Sequence, residues 1–545
     1  MPDEQPNFCV FYSGDGYSTA AKIMGRQSAG RALVEGIARR WPDAAIAFAA
    51  ADQKAGAKLD AQLRGAGHRG GTRWRDLAGT GPLHPGAVYY PAVPDIDLVH
   101  ARNARGTTTY SLFGVTHTLS TDGAMDQVAR MILPPFQPWD ALVCTSHAAL
   151  VVVGRLQDEL RGWLREHLGA TRFVAPVMPV VPLGINAPAF APREEDRAAA
   201  RASLDLAIDD VTFLFAGRMA FHAKANPVPF YQAVEAACRR TGRVLTVIEA
   251  GVYPNKAIAD AFAAARAMLA PSARFIAVAG EDEVKYRAAW QAADVFVSLS
   301  DNIQETFGLT PVEAMAAGLP VLVSDWNGYK DTVRDGIDGY RIPVTLAPAG
   351  TGDVFAARHA ADRERYDMYI GRAALGTAID GDVLADRVVA LAQDPALRRQ
   401  LGEAGRRRAT QDFDWPVILD LYAELADELA AIRHAAPTAR VARPNRPDPF
   451  ALFSHYPTTT LGMDWTAAPR DANGTALAAL LELGVARYGF DREVLPRATV
   501  EAVHHRLAKG EQRVADLIAG LPGRHEAHVL ALMWLVKFGL AAVRA

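Results

Sequence analysis

Cysteine is scarce here: Cys9, Cys144 and Cys238 are the three among 545 residues. They lie too far apart to form a metal-spaced pair or a disulfide ladder, so reduced core thiols in a cytoplasmic protein are expected. No run of about 18 apolar residues occurs, so no segment reads as a membrane-spanning helix. Charge of one sign is equally lacking. The 58 Lys and Arg against 61 Asp and Glu leave a net charge of −3. That balance offers no broad basic field for nucleic acid, and no such partner is expected. The opening MPDEQPNF is acidic and polar, unlike a secretory leader. No internal repeat stands out. Peripheral contact with the inner membrane face stays open, as does self-association through the C-terminal helices.

What is present is the composition of an ordinary globular protein, 50% apolar and 22% charged, at a length that suggests roughly three to four domains. Short apolar runs alternate with helical stretches over the first 190 residues. Phe8 to Tyr12, Ala45 to Ala49, Tyr110 to Thr116 and Ala141 to Thr145 read as strands. Ala29 to Arg40 reads as a helix with Ser28 as a candidate N-cap. Residues 54–86, rich in glycine and basic side chains, give no clear pattern. After Val181-Pro182-Leu183-Gly184-Ile185-Asn186 and a proline-bearing charged stretch, a second series begins at Val211 to Ala216. It continues through Val244 to Ala250, Phe275 to Val278, Asp294 to Leu299 and Pro320 to Ser324. Apolar strands separated by helices indicate parallel sheets covered on both faces. Helices at 383–392, 395–411 and 415–432 close this half. The expected division is 1–188, 189–432, a proline-rich linker at 433–472, and a small helical domain at 473–545.

The densest chemistry lies between Ala293 and Gly339. Thr310 suits an N-cap and Pro311 the first helical position, with Gly318 ending the helix. The amides of Gly308, Leu309 and Thr310 would then lack intrahelical partners, at the edge where open α/β sheets bind ligands. A diphosphate fits such a place. Glu305 and Glu313 flank it, and carboxylates accept hydrogen bonds from vicinal hydroxyls. Thr310 and Glu313 also have capping-box spacing, so Glu313 has a purely local alternative. Gly217-Arg218, just after a strand, and Lys224 six positions on supply a second set of anion-binding groups.

The run Glu305-Thr306-Phe307-Gly308-Leu309-Thr310-Pro311-Val312-Glu313-Ala314-Met315-Ala316-Ala317-Gly318-Leu319-Pro320-Val321 resembles the signature of the retaining family-4 glycosyltransferases of the GT-B fold, in which seven residues separate two glutamates. Gly217-Arg218 with Lys224, the 181–186 boundary and Gly402 to Trp415 resemble the same family. The resemblance implies an α/β fold of two Rossmann-like doubly wound domains facing a cleft. It implies that Arg218 and Lys224 bind a donor diphosphate, Glu313 the ribose and Glu305 the transferred sugar. Gly217, Phe307, Gly308, Leu309 and Thr310 would complete the donor site, Gly280 would lie near the base, and His117 near the sugar. It implies sugar transfer with retained anomeric configuration, from a UDP- or GDP-type donor to an unidentified acceptor hydroxyl, needing no metal or other cofactor. The acceptor classes are a glycan, a lipid-linked glycan, a small metabolite or a protein. An epimerase or phosphorylase on the same architecture, or a non-catalytic nucleotide-sugar-binding scaffold, are the alternatives.

Two features depart from that pattern. Ala225 follows the lysine where the family has glycine. The loop Ser13-Gly14-Asp15-Gly16 lacks the paired glycines, for which Gly25 with Arg26 and Gln27 are candidates. The four tail histidines His504, His505, His525 and His528 lack the cysteine or carboxylate company of a metal site and read as solvated helix residues.

Overall fold

The computed structural model describes residues 5–14, 17, 25–50, 54–77, 83–192 and 194–545. It divides into two compact units, Met1–Arg443 and Pro444–Ala545. In the first unit, β1 (Cys9–Phe11), β2 (Ile46–Ala49), β3 (Thr72–Trp74), β4 (Ala87–Tyr90), β5 (Ser111–Val115) and β6 (Ala141–Val143) form one parallel sheet in the order β3-β2-β1-β4-β5-β6. A second parallel sheet is built from β7 (Thr212–Arg218), β8 (Thr246–Val252), β9 (Arg274–Ala279), β10 (Val295–Ser298), β11 (Val321–Ser324) and β12 (Gly339–Ile342). Its order is β12-β11-β10-β7-β8-β9. Both orders are that of a doubly wound Rossmann-like sheet, reversing between the first and fourth strands of each set. The central strands are apolar along their length because helices cover both faces.

The structure corrects several sequence readings. The helix at Gly25–Arg40 starts before Ser28, which lies inside it and not at the position before its first residue. Asp15 and Gly16 lie outside the described residues, as do the side chains of Arg26 and Gln27. The unreadable stretch contains the helix Ala55–Gly65 and β3.

The helix Trp415–His434 follows the second half in sequence but packs on the first. Trp415 is 1% exposed. A Cβ at Gly36 would stand 2.3 Å from Trp415 Cβ, and one at Gly184 would stand 2.4 Å from its ring. The indole thus fills a slot that only two glycines leave open. Tyr422 stacks on Tyr89 at 5.5 Å and meets Phe113 edge-on at 5.8 Å. Asp414 accepts two hydrogen bonds from Arg39 at 2.5 and 3.1 Å. Near the other end Arg433 donates to Ser111 Oγ at 2.6 Å and to the Gly86 carbonyl. The chain beyond also lies on the first half: Thr107 N reaches Ala439 O at 2.8 Å and Val441 N reaches Asn103 O at 2.9 Å. The segment expected to be a free linker is therefore tied down up to Arg443.

The second unit is not purely helical. β13 (Val344–Leu346) and β14 (Thr377–Ile379) pair antiparallel in the first unit, whereas here β15 (Thr466–Pro469) stands between β16 (Gln512–Arg513) and β17 (Ala541–Arg544) in an antiparallel sheet. β15 lies within the stretch read as linker. Helices Arg497–Leu507 and His525–Lys537 pack Val500, Val503, Leu532 and Leu535 into a core with Leu477 and Leu517. His504 and His528 are buried, not solvated. Each places Nε2 on a carbonyl oxygen, Asp471 at 2.6 Å and Pro522 at 3.1 Å. Among the described residues no helix is long and apolar enough to cross a membrane.

Replacing the wedge tests its importance. Trp415→Ala should destabilise the first unit by about 3–5 kcal/mol, the range for emptying a buried aromatic site, read as a lowered unfolding midpoint in denaturant.

Candidate functional site

The second sheet reverses its order between β7 and β10, and the loops leaving those two strands carry most of the expected site. After β7 come Gly217 and Arg218, then Lys224. Gly217 has φ of +145°, and its carbonyl packs so tightly on Gly251 that a Cβ there would lie 1.7 Å away. After β10 the loop 299–308 brings Gln304 and Glu305 against these cations. Arg218 Nη2 donates to Gln304 Oε1 at 3.0 Å. Lys224 Nζ stands 3.2 Å from Glu305 Oε2. Glu305 Oε1 accepts from the Thr306 amide at 3.2 Å and the Phe307 amide at 3.5 Å. Burial pushes the Glu305 carboxyl up, yet the Lys224 charge and these hydrogen bonds outweigh it and hold the group below its ordinary range.

The helix following this loop is Leu309–Ala316, one residue earlier than the Thr-Pro pair suggested. Gly308, not Thr310, is the cap. Its φ is +91° and a Cβ would stand 2.0 Å from Tyr329 Cε1, so any side chain would collide. Thr310 lies in the first turn with no capping role, which removes the capping-box alternative for Glu313. The amides of Gly308, Leu309 and Thr310 have no hydrogen-bond acceptor among the described residues. They form a positive helix end beside Glu305. Phe307, by contrast, turns its ring into the core, 2% exposed and edge-on to Phe413 at 6.2 Å.

Glu313 has no hydrogen-bond partner among the described residues. Burial alone pushes its carboxyl up to about 7, with Tyr286 as a neighbour. The carboxyls of the motif's two glutamates are thus shifted in opposite directions, Glu305 down and Glu313 up, by their surroundings. Gly280 ends the edge strand β9, its amide on Gly251 O at 2.9 Å, two strands away from β7.

The first half reaches the same loop. The His117 carbonyl accepts from Thr306 Oγ1 at 3.0 Å, and Ser146 Oγ donates to the Thr306 carbonyl at 2.8 Å. His117 Nε2 meets Pro91 O at 3.1 Å. His117 therefore joins the site through its backbone, next to Glu305. On either side of the cleft, Ser120 Oγ meets Tyr366 Oη at 2.7 Å and Asp331 accepts from the His147 amide at 2.6 Å. Gln304, Thr306 and Ser146 escaped sequence reasoning. Gln304 alone left a signal, as the polar neighbour of Glu305. Among the described residues no three His, Cys, Asp or Glu side chains gather as a metal-binding group.

Two facing doubly wound sheets, with cations, unpartnered amides and carboxylates at one switch point, define the GT-B fold. Residues 210–358 match the family model described as Glycosyl transferases group 1. The chain is 35% identical to the D-inositol 3-phosphate glycosyltransferase of Nocardia farcinica over 162 residues, 29% of this chain and 35% of that protein. It is 33% identical to the phosphatidyl-myo-inositol mannosyltransferase of Mycobacterium leprae over 138 residues, 25% of this chain and 27% of that one. These alignments span about a third or less of each relative's length. The phosphatidyl-myo-inositol mannosyltransferase of Mycobacterium tuberculosis aligns over 354 residues at 25% identity, 64% of this chain and 74% of that one. In structure, a glycosyltransferase from Rickettsia africae superposes with a TM-score of 0.50 at 12% identity, covering 78% of this chain and 99% of that one. That likeness shows the fold.

The raised Glu313 carboxyl carries a stability cost with a definite sign. The folded state holds the proton more tightly than the unfolded chain, so stability falls as pH rises from the unfolded value through about 7. Glu313→Gln should match the parent protein near pH 5 and exceed it by on the order of 2 kcal/mol near pH 8, measured by thermal melts at both pH values.

Proposed function

We propose that this protein is a retaining glycosyltransferase that moves a sugar from a UDP- or GDP-type nucleotide sugar to an acceptor hydroxyl. The observation that carries the reading is the convergence of Arg218, Lys224 and the first-turn amides of the helix Leu309–Ala316 on the crevice at the β7–β10 switch point. Negative charge develops on the leaving diphosphate as the bond from the anomeric carbon to the phosphate oxygen breaks. Donors fixed in place before the reaction stabilise that charge. The acceptor oxygen forms the new bond on the same face, and its proton passes to the departing phosphate oxygen. The cations supply what a metal ion would otherwise supply. Glu305, held ionised, accepts hydrogen bonds from sugar hydroxyls, and Glu313 accepts them from the ribose.

The names of the sequence relatives, all sugar-transferring or sugar-phosphate-forming enzymes, support this class of reaction. The acceptor is a glycan, a lipid-linked glycan, a small metabolite or a protein.

Calorimetry with UDP, GDP and ADP tests the donor site. One nucleotide should bind and Glu313→Ala should abolish that binding; no binding of any nucleotide would sink the reading. Because an ionised Glu313 is a stronger hydrogen-bond acceptor than a protonated one and its carboxyl is raised to about 7, nucleotide affinity should rise from about pH 6 to about pH 8. Glu313→Gln should flatten the profile. Lys224→Ala should lower turnover by on the order of 100-fold, as loss of an oxyanion-type stabiliser does; normal turnover in a folded variant would remove Lys224 from that role.

A further inference from the structure

Lys224 sits on a loop with little regular structure of its own, so something outside the loop must fix where its ammonium stands. One buried residue of the opposite loop is bonded to the Lys224 loop. Asn302 is 1% exposed, and its polar groups are spent on separate segments. Its Nδ2 donates to the His222 carbonyl at 2.7 Å, two residues before Lys224. The same nitrogen reaches the Ile370 carbonyl at 3.4 Å, in the helix Tyr366–Ala374. Its Oδ1 accepts from the Gln304 amide at 2.9 Å, and its carbonyl accepts from Trp326 Nε1 at 3.1 Å. The Lys224 loop is therefore held at His222, two residues before Lys224, by the Asn302 side chain.

We propose that Asn302 is a positioning residue: its side chain fixes the Lys224 loop against the loop bearing Gln304 and Glu305, and so sets where the ammonium meets the donor diphosphate. The assignment rests on the donor-site reading above. A hydrogen bond from a side-chain amide also defines orientation, because the amide nitrogen can only donate and the oxygen can only accept. Asn302→Asp keeps the shape but sets an oxygen against the His222 and Ile370 carbonyls. Asn302→Ala removes the bonds without that repulsion.

The test compares a nucleoside diphosphate with its monophosphate by calorimetry, on the full chain and on variants shown to be folded by circular dichroism. Asn302→Asp should weaken diphosphate binding by about tenfold or more, the effect of a lost buried hydrogen bond. Monophosphate binding should stay within about twofold, since Lys224 addresses the outer phosphate. Asn302→Ala should move diphosphate affinity the same way by less. In a Lys224→Ala background, Asn302→Asp should add nothing, because the two residues act through one contact. Equal losses for both nucleotides, or full additivity with Lys224→Ala, would overturn the assignment and leave Asn302 a structural residue only. A second measurement separates this proposal from the donor-site reading. Hydrogen exchange of the unliganded chain should quicken at the amides of residues 222–226 in either Asn302 variant while the β7 and β8 amides keep their protection. If the parent protein binds no nucleotide, the donor-site reading fails, and unchanged exchange at 222–226 would then sink the clamp as well.

Discussion

A parallel sheet must bury both of its faces, and the first sheet of this chain takes part of that cover from a helix that follows the second half in sequence. That constraint is met by sending the helix Trp415–His434 back across the molecule, where Trp415 seats between Gly36 and Gly184 and Tyr422 covers Tyr89 and Phe113. The rest of the first unit depends on this crossing. It holds the two sheets on one scaffold, with the C-terminal strand edges that carry the site meeting across a cleft. The contacts of Thr306 with His117 and Ser146 then complete the register between the halves.

Within that scaffold the site is an exercise in placing charge without losing it to neighbours. Arg218 and Lys224 stand at a strand edge, each met by a polar group of the facing loop, Gln304 and Glu305. The helix start at Leu309 adds amides with no partner, made possible by a backbone turn at Gly308 that no other residue could take against Tyr329. One carboxylate is kept ionised by its cation while the other, left to burial alone, titrates near neutrality. One residue type thus has its proton affinity moved in opposite directions because the surroundings differ.

Much of this was legible in the sequence, and the failures have physical reasons. Buried central strands announce themselves as apolar runs, so β7, β10 and β11 were read nearly in full. β3, with the sequence TRW and half-buried at the sheet edge, carries no such run. β15, with the sequence TAAP, is short and weakly patterned, and its partner β16 has only two residues. The motif located Glu305, Glu313, Arg218 and Lys224 because their spacing is local. It misplaced the helix cap, since Thr-Pro is a good start by propensity but the positive φ at Gly308 decides where the helix begins. Apolar periodicity showed that 415–432 is helical but not which sheet it covers, because a helix stripe does not name its partner. Asn302 and Thr306 act through contacts 80 and 189 residues away, which no spacing rule reaches.

The returning helix also has a consequence for how the chain is made. Asn7 bonds to Ala423 and Asp427, 416 and 420 residues later. At synthesis rates of roughly 5–20 residues per second, the finished first sheet waits about 15–60 s for the helix that completes its cover. During that time Tyr89 and Phe113 lack the Tyr422 ring that packs on them in the native protein. A chain stopped before Trp415 would leave that patch of the sheet bare.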